Sequence, residues 1–252
     1  MEMINSIGQK VMQGGSRRSA IYASLNWKHE DVNKFLVSKN WADMPVGTTG
    51  QTLFDIKKDD FNFPAPMDMT NISVNYDTEW LLNYWEKGEI GNVFQSNCKQ
   101  ALRTGEPGFS FNFFEKENET LRNACTEVTS EDDSDVCNLG SLNFARIDDL
   151  NQLQQVVQLA TKFLLCGTTR AQLPYQKVYD VREANRRLGL GLMGLHEWLI
   201  QRNNRYEATP ELHRWFKVYE AESDKTARNF SKTLGISRPV AVRAVAPTGT
   251  IG

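Results

Sequence analysis

Cysteine is scarce in this chain: Cys98, Cys125, Cys137 and Cys166 are the four in 252 residues, and no two stand at CxxC spacing. That excludes a disulfide scaffold and the common zinc frameworks, and leaves thiol reactivity as the reason for any of them to matter. Histidine is scarcer, with His29, His196 and His213 only. His196 and His213 fall on amphipathic helical stretches, and nothing in the sequence pairs either with Cys125, so cysteine-hydrolase chemistry lacks its base. An excess of one charge is missing too. With 29 Lys+Arg against 31 Asp+Glu the net charge is -2, so no field draws the molecule to nucleic acid or to an anionic membrane. No apolar run approaches the roughly 20 residues that span a bilayer, and "MEMINSIGQKVMQGGSRRSA" is too polar for a signal-peptide core. A cytoplasmic protein acting on small molecules, with no metal site, is the expectation. Repeats and low-complexity linkers are absent, so residues 1–252 read as a single piece.

What is present reads as α/β. In "FSFNFF" (109–114), Phe109, Phe111 and Phe113 alternate with Ser110 and Asn112 at the period of a half-buried strand, and 71–76 and 136–147 are further strand candidates. "DDLNQLQQVVQLATKFLLCG" predicts a helix capped by Asp148 or Asp149 and stopped at Gly167; a second runs from Thr209 as cap, with Pro210 first, to Gly235. "RPVAVRAVAP" follows directly as another strand candidate. Strand, helix and strand with tight joints favour an α/β layer or barrel over a helical bundle. "GLGLMG" (Gly189, Gly191, Gly194) has the spacing of a dinucleotide-binding loop, but the polar "YQKVYDVREANRR" before it is no strand. The expectation is a tightly packed helix over 183–201 whose glycines admit another backbone.

The stretch "LRNACTEVTSEDDSDVCNLGSLN" (121–143) holds two cysteines 12 positions apart. If the first part is extended, its period of two brings Asn123, Cys125 and Glu127 to one side. The amide can hold a hydroxyl, the carboxylate can take a proton, and the thiol can act as nucleophile or, after one-electron oxidation, abstract a hydrogen atom. On spacing alone, an acidic surface loop with incidental thiols stays open beside a reactive centre. "SEDDSD" (130–135) reads as a solvated connection.

Four ordered motifs, "RNACTEV", "CNLGSLNFARI", "RRLGLGLMGLHEWL" and "AVAPTGTIG", together with upstream "GGSRRSAIYASLNWKHEDVNKFL" and "PMDMTNISVNY", resemble the catalytic large chain of ribonucleotide reductases, especially the adenosylcobalamin-dependent class. The resemblance implies part of a ten-stranded α/β barrel whose central finger loop carries the thiyl-radical cysteine. By that resemblance Cys125 abstracts the 3′ hydrogen of the ribose, Glu127 is the base on the 3′ hydroxyl, and Asn123 holds the sugar. Cys137 is one of a cysteine pair that ends as a disulfide, whereas Cys98 and Cys166 are structural thiols. Pro247, Thr248, Gly249, Thr250 and Ile251 form the substrate phosphate loop. It further implies adenosylcobalamin as cofactor, or else a radical from a separate metal-containing subunit. Nucleoside triphosphate effectors, the remaining reductase segments and a thioredoxin- or glutaredoxin-type reductant are the implied partners. The family's second redox cysteine lies upstream of "RRSA", and a helix follows "APTGTIG". The expectation is therefore a piece of a split or interrupted reductase, inactive alone; a non-catalytic assembly piece is the alternative.

Overall fold

The computed structural model describes residues 1–13, 17–48, 50–249 and 251. They divide into two units, Met1–Glu131 and Asp132–Gly252, each with its own apolar core.

The first unit runs α1 (Glu2–Lys10), β1 (Met12–Gln13), β2 (Arg17–Arg18), β3 (Ile21–Asn26), α2 (Val32–Leu36), α3 (Leu53–Asp59), β4 (Thr70–Tyr76), α4 (Thr78–Lys87), α5 (Asn92–Thr104), β5 (Gly108–Phe111), β6 (Leu121–Arg122) and β7 (Thr129–Ser130). Strands β3, β4 and β5 form a parallel sheet with β4 central, Ile21 facing Thr70 and Tyr76 facing Phe111. Parallel neighbours need long crossovers, which α2–α3 and α4–α5 supply. Alternation along "TNISVNY" sorts the two faces. Ile72, Val74 and Tyr76 are buried in a core with Val32, Phe35, Leu36 and Trp80, and Asn71, Ser73 and Asn75 point the other way. On β5 and just beyond it, Phe109, Phe111 and Phe113 join an aromatic cluster, with Tyr76 and Phe111 centroids 5.6 Å apart. The buried residues alternating with them are the polar Ser110, on β5, and Asn112, just after it.

Two carboxylates tie this unit together. Asp68 accepts from Asn5 at 2.9 Å, Gln9 at 2.8 Å and the Ala65 amide, and pairs with Lys57 at 3.3 Å. Burial alone pushes its carboxyl up, but these donors and the lysine together hold it below the usual carboxylate range. Asp77 caps α4 through the Trp80 amide and also accepts from Trp27 Nε1 and Asn26. There too burial is outweighed, and the carboxyl is depressed.

The second unit runs β8 (Asn138–Asn143), α6 (Leu150–Arg170), α7 (Gln176–Asn185), β9 (Leu188–Met193), α8 (Leu195–Gln201) and α9 (Pro210–Leu234). Strands β8 and β9 are parallel, Asn138 facing Leu188 and Asn143 facing Met193. Residues 241–244 extend the sheet beyond β9: the Leu188 and Leu190 amides donate to the Ala241 and Val242 carbonyls at 2.9 and 3.0 Å. Leu153, Val157 and Leu165 of α6, Trp198 of α8 and Trp215 of α9 close the core. Asp149 caps α6 by accepting from the Asn151 and Gln152 amides; Thr209 caps α9, Pro210 opens it, and Gly235 ends it at φ 67°.

Three expectations need correction. The helix over 183–201 is instead the end of α7, then β9, then α8. Leu188 and Leu190 face the core, and glycines occupy the alternate positions because a Cβ on Gly191 would lie 2.5 Å from the Ala244 carbonyl oxygen. Close backbone approach was the right reason attached to the wrong element. Helix α6 does not stop at Gly167 but continues to Arg170; Gly167 lies in its interior, where a Cβ would stand 3.1 Å from Asn138 Nδ2, a tight approach. Finally, "SEDDSD" is anchored. Asp135, with 7% of its side chain exposed, pairs with Arg187 at 2.8 Å and accepts from Asn185, which also donates to Asp132 at 2.8 Å. No helix among the described residues is long and apolar enough to cross a membrane.

Candidate active site

Strands β6 and β7 make a short antiparallel hairpin, Leu121 with Ser130 and Arg122 with Thr129, and residues 123–128 form its loop. The Thr126 amide donates to the Asn123 carbonyl at 3.0 Å, and the Val128 amide donates to Asn123 Oδ1 at 3.1 Å. Asn123 thus folds the loop around itself, and Thr126, a β-branched residue, takes φ 67°. That conformation is costly outside glycine and is characteristic of functional loops. The expected extended segment with Asn123, Cys125 and Glu127 on one side is therefore replaced by a turn. Period-two alternation does not survive where an asparagine captures local amides.

The turn leaves Cys125 exposed, on the wall of a cleft of about 260 Å³ lined also by Asn71, Ser73, Glu106, Gly108 and Thr126. Asn71 donates its side-chain amide to the Ala124 carbonyl, holding the tip beside β4. Glu106 is committed elsewhere: it accepts from the Ile72 amide at 3.0 Å and pairs with Lys39. Glu127 is the opposite case. Both its carboxylate oxygens are shielded from solvent and have no hydrogen-bond partner among the described residues. An unsatisfied carboxylate is costly in any fold. Its placement makes chemical sense where an incoming hydroxyl is to give up a proton.

Cys137 belongs to the second unit, half-buried immediately before β8. A Cβ on Gly189 of the neighbouring strand would stand 3.1 Å from its Sγ, so glycine there makes the room this thiol occupies. In the same unit the chain turns at Pro247–Ile251. The Ile251 amide donates to the Thr248 carbonyl at 3.0 Å, Thr248 takes φ 49°, and Gly249 has open space where a Cβ would be. An exposed turn with an uncovered glycine lets an anion approach backbone amides. Thr250, expected in this loop, lies outside the described residues.

Sequence reasoning missed Asn71 and Arg122. The one clue in the sequence is the polar phase of "TNISVNY" and of "FSFNFF"; the contacts that give Asn71 and Arg122 their roles are to other segments of the chain.

A family model described as "Ribonucleotide reductase, barrel domain" matches residues 68–231, a run that includes the hairpin, Glu127 and Cys137. The chain belongs to the ribonucleotide reductase barrel-domain family. A Mycobacterium phage D29 protein, provisionally named an adenosylcobalamin-dependent ribonucleoside-triphosphate reductase, is 32% identical over all of this chain and 36% of its own length. A vitamin B12-dependent ribonucleoside-diphosphate reductase of Thermoplasma acidophilum is 25% identical, again over the whole chain and 36% of the relative. The chain thus spans about a third of the length of these curated relatives. Among solved structures, a B12-dependent (class II) ribonucleotide reductase superposes with TM-score 0.68 at 20% identity, covering 99% of this chain and 34% of that one. The class Id reductase alpha subunit of Actinobacillus ureae gives TM-score 0.67 at 18% identity, over 91% of this chain and 46% of the other. These two likenesses establish the mixed α/β fold of the reductase barrel. In the described residues its strands form open sheets rather than a closed ring.

Proposed function

We propose that this chain carries the thiyl-radical centre of a ribonucleotide reductase, which turns ribonucleoside di- or triphosphates into 2′-deoxyribonucleotides for DNA synthesis in the cytoplasm. Glu127 carries the reading: a shielded carboxylate with no partner among the described residues stands two positions from an exposed thiol, in a loop strained at Thr126. A hydrogen-abstracting thiol and a base with vacant oxygens are what removal of the 3′ hydrogen and the 3′ hydroxyl proton requires.

In this scheme the Cys125 thiyl takes the 3′ hydrogen atom while Glu127 accepts the proton of the 3′ hydroxyl. Asn123 shapes the loop through its own Oδ1 and backbone carbonyl, and its side-chain NH2 is read as the group that holds the sugar. The 2′ hydroxyl departs as water. Cys137 and a second cysteine supply two electrons and two protons and end as a disulfide, and Cys125 returns its hydrogen atom to C3′. The segment Pro247, Thr248, Gly249, Thr250 and Ile251 is read as the phosphate loop. We assign the radical source to adenosylcobalamin, in keeping with the relatives' names. That cofactor supplies a carbon-centred radical, and the exposed Cys125 is the group this chain offers to it. As the chain spans about a third of its relatives, the other reductase segments, nucleoside triphosphate effectors acting through them, and a thioredoxin- or glutaredoxin-type reductant belong to the proposal.

The test is turnover by the chain, alone and with the polypeptides encoded beside it, given ribonucleotide, dithiol and adenosylcobalamin. Deoxynucleotide formation that needs the cofactor and vanishes in Cys125→Ser is the expected result. Formation that survives Cys125→Ser overturns the reading, and dependence on a second metalloprotein transfers the radical source to a separate subunit.

A further inference from the structure

The hairpin that presents Cys125 has two cross-strand residue pairs. Even longer isolated hairpins are marginal in water, so the ladder alone cannot fix where the tip stands. Hydrogen-atom transfer needs the reacting atoms within about 3–3.5 Å of each other. Side chains at the stem must therefore locate the loop, and one of them has the required geometry.

Arg122, the last residue of β6, donates from Nε to Ser110 Oγ at 2.8 Å and from Nη2 to Asn112 Oδ1 at 3.0 Å. Those two acceptors are joined to each other, Asn112 Nδ2 donating to Ser110 Oγ at 2.9 Å. Both are buried, at 0% and 3% exposure, Ser110 on β5 and Asn112 directly after it, with the alternate residues Phe109, Phe111 and Phe113 aromatic. Both of these acceptors are neutral side chains. The cation is held by two neutral dipoles on a rigid sheet, a use that suits the planar guanidinium fork and that a lysine ammonium cannot copy. Asn71 holds the tip from β4 and Thr129 donates to Glu119 at 2.9 Å; Arg122 adds a two-point anchor from the stem to Ser110 and Asn112. A residue at positive φ such as Thr126 persists only where its surroundings over-determine it.

We propose that Arg122 is a positioning residue for Cys125, acting through Ser110 and Asn112. The proposal rests on the reading of Cys125 as the radical site. Its test begins with amide hydrogen exchange in the full 252-residue chain. In Arg122→Lys, and separately in Asn112→Ala, exchange at the Thr126 and Val128 amides rises about tenfold or more. The Ile72 and Leu190 amides, in the sheets of the two units, keep their rates. In turnover with the companion polypeptides, Arg122→Lys lowers kcat about a hundredfold, the scale of an ångström's misplacement, and leaves KM for ribonucleotide within about twofold; general loss of folded protein would not protect KM and the sheet amides together. Unchanged exchange at Thr126 and Val128 in both variants overturns the proposal, as does a change confined to KM. If Arg122→Lys does not fold, Asn112→Ala decides. Should Cys125→Ser leave turnover intact, the radical-site reading fails, while the exchange rates still decide whether Arg122 holds the loop.

Discussion

Cys125 and Cys137 are 12 positions apart in sequence and occupy opposite kinds of surroundings. Cys125 rides on an irregular six-residue loop, exposed, next in sequence to a threonine at positive φ and two positions from a carboxylate whose shielded oxygens have no hydrogen-bond partner among the described residues. Its place is set by side chains: Arg122, Asn71 and Asn123. Cys137 enters a regular parallel strand, half-buried, in space left by the missing Cβ of Gly189, and the segment before it is fixed by the Asp135–Arg187 ion pair. The difference follows from what each thiol is proposed to do. A group that must meet an outside radical and a substrate needs reach and an unsatisfied neighbour, which cost stability. A group that only closes a disulfide can sit in packed structure.

The sharpest way to break this comparison is to remove each thiol in turn. Cys125→Ser should lower turnover by a thousandfold or more, a barrier rise of about 4 kcal/mol, and should also abolish loss of tritium from the 3′ position of substrate. Cys137→Ser should stop net reduction yet keep some 3′ tritium release, because the first abstraction does not use it. Equal loss of tritium release in both variants would erase the division of labour.

Glu127→Gln should cut kcat about a hundredfold, the usual share of a positioned base, while raising stability to urea by about 1 kcal/mol, since a neutral amide loses less than a carboxylate when buried without a partner. The opposing signs are the point of the measurement. A loss of stability would mean that the carboxylate is held by structure and would weaken its reading as a base.

How much of this was legible depended on whether local chemistry or the neighbouring strand decided the outcome. Thr209, Pro210 and Gly235 define the bounds of α9 from within the segment, and Asp149 does so for the start of α6. The leucine–glycine alternation of 188–193 carries its meaning only once Ala244 lies against Gly191, and Gly167 only once Asn138 approaches it; no local rule contains either contact. At the site, residue types around Cys125 were readable, but their arrangement was not, because Asn123 bends the chain by capturing the Thr126 and Val128 amides. Arg122 and Asn71 were overlooked for a related reason. Their partners, Ser110, Asn112 and the Ala124 carbonyl, come from other strands or from backbone, which spacing does not display.

Glycines extend the comparison to packing. Gly191→Ala should cost about 2 kcal/mol of stability, because its Cβ would strike the Ala244 carbonyl 2.5 Å away and backbone must shift. Gly249→Ala, with open space around it, should change stability by less than about 0.5 kcal/mol. Denaturant melts of the two variants check both, and a similar cost at the two positions would show that the turn at Pro247–Ile251 is packed rather than open.

The smallest expected effect distinguishes the two units by acid. Asp68 and Asp77, both in the first unit, have carboxyls held below the usual range. A depressed folded value means that the unfolded chain binds the proton more readily, so the stabilisation is present above the unfolded value near about 4 and is lost as pH falls through the lower folded value. In the second unit the corresponding depressed carboxyl is Asp133, whose pairing with Lys177 is at the surface and adds little. Acidification below about pH 4 should therefore speed hydrogen exchange at Val74 before it does at Leu190. Asp68→Asn should reduce that gap, because the amide keeps the shape but neither titrates nor balances Lys57. If Val74 and Leu190 lose protection at the same pH in both proteins, acid stability is not set by these buried carboxylates, and the contrast between the two units is confined to their thiols.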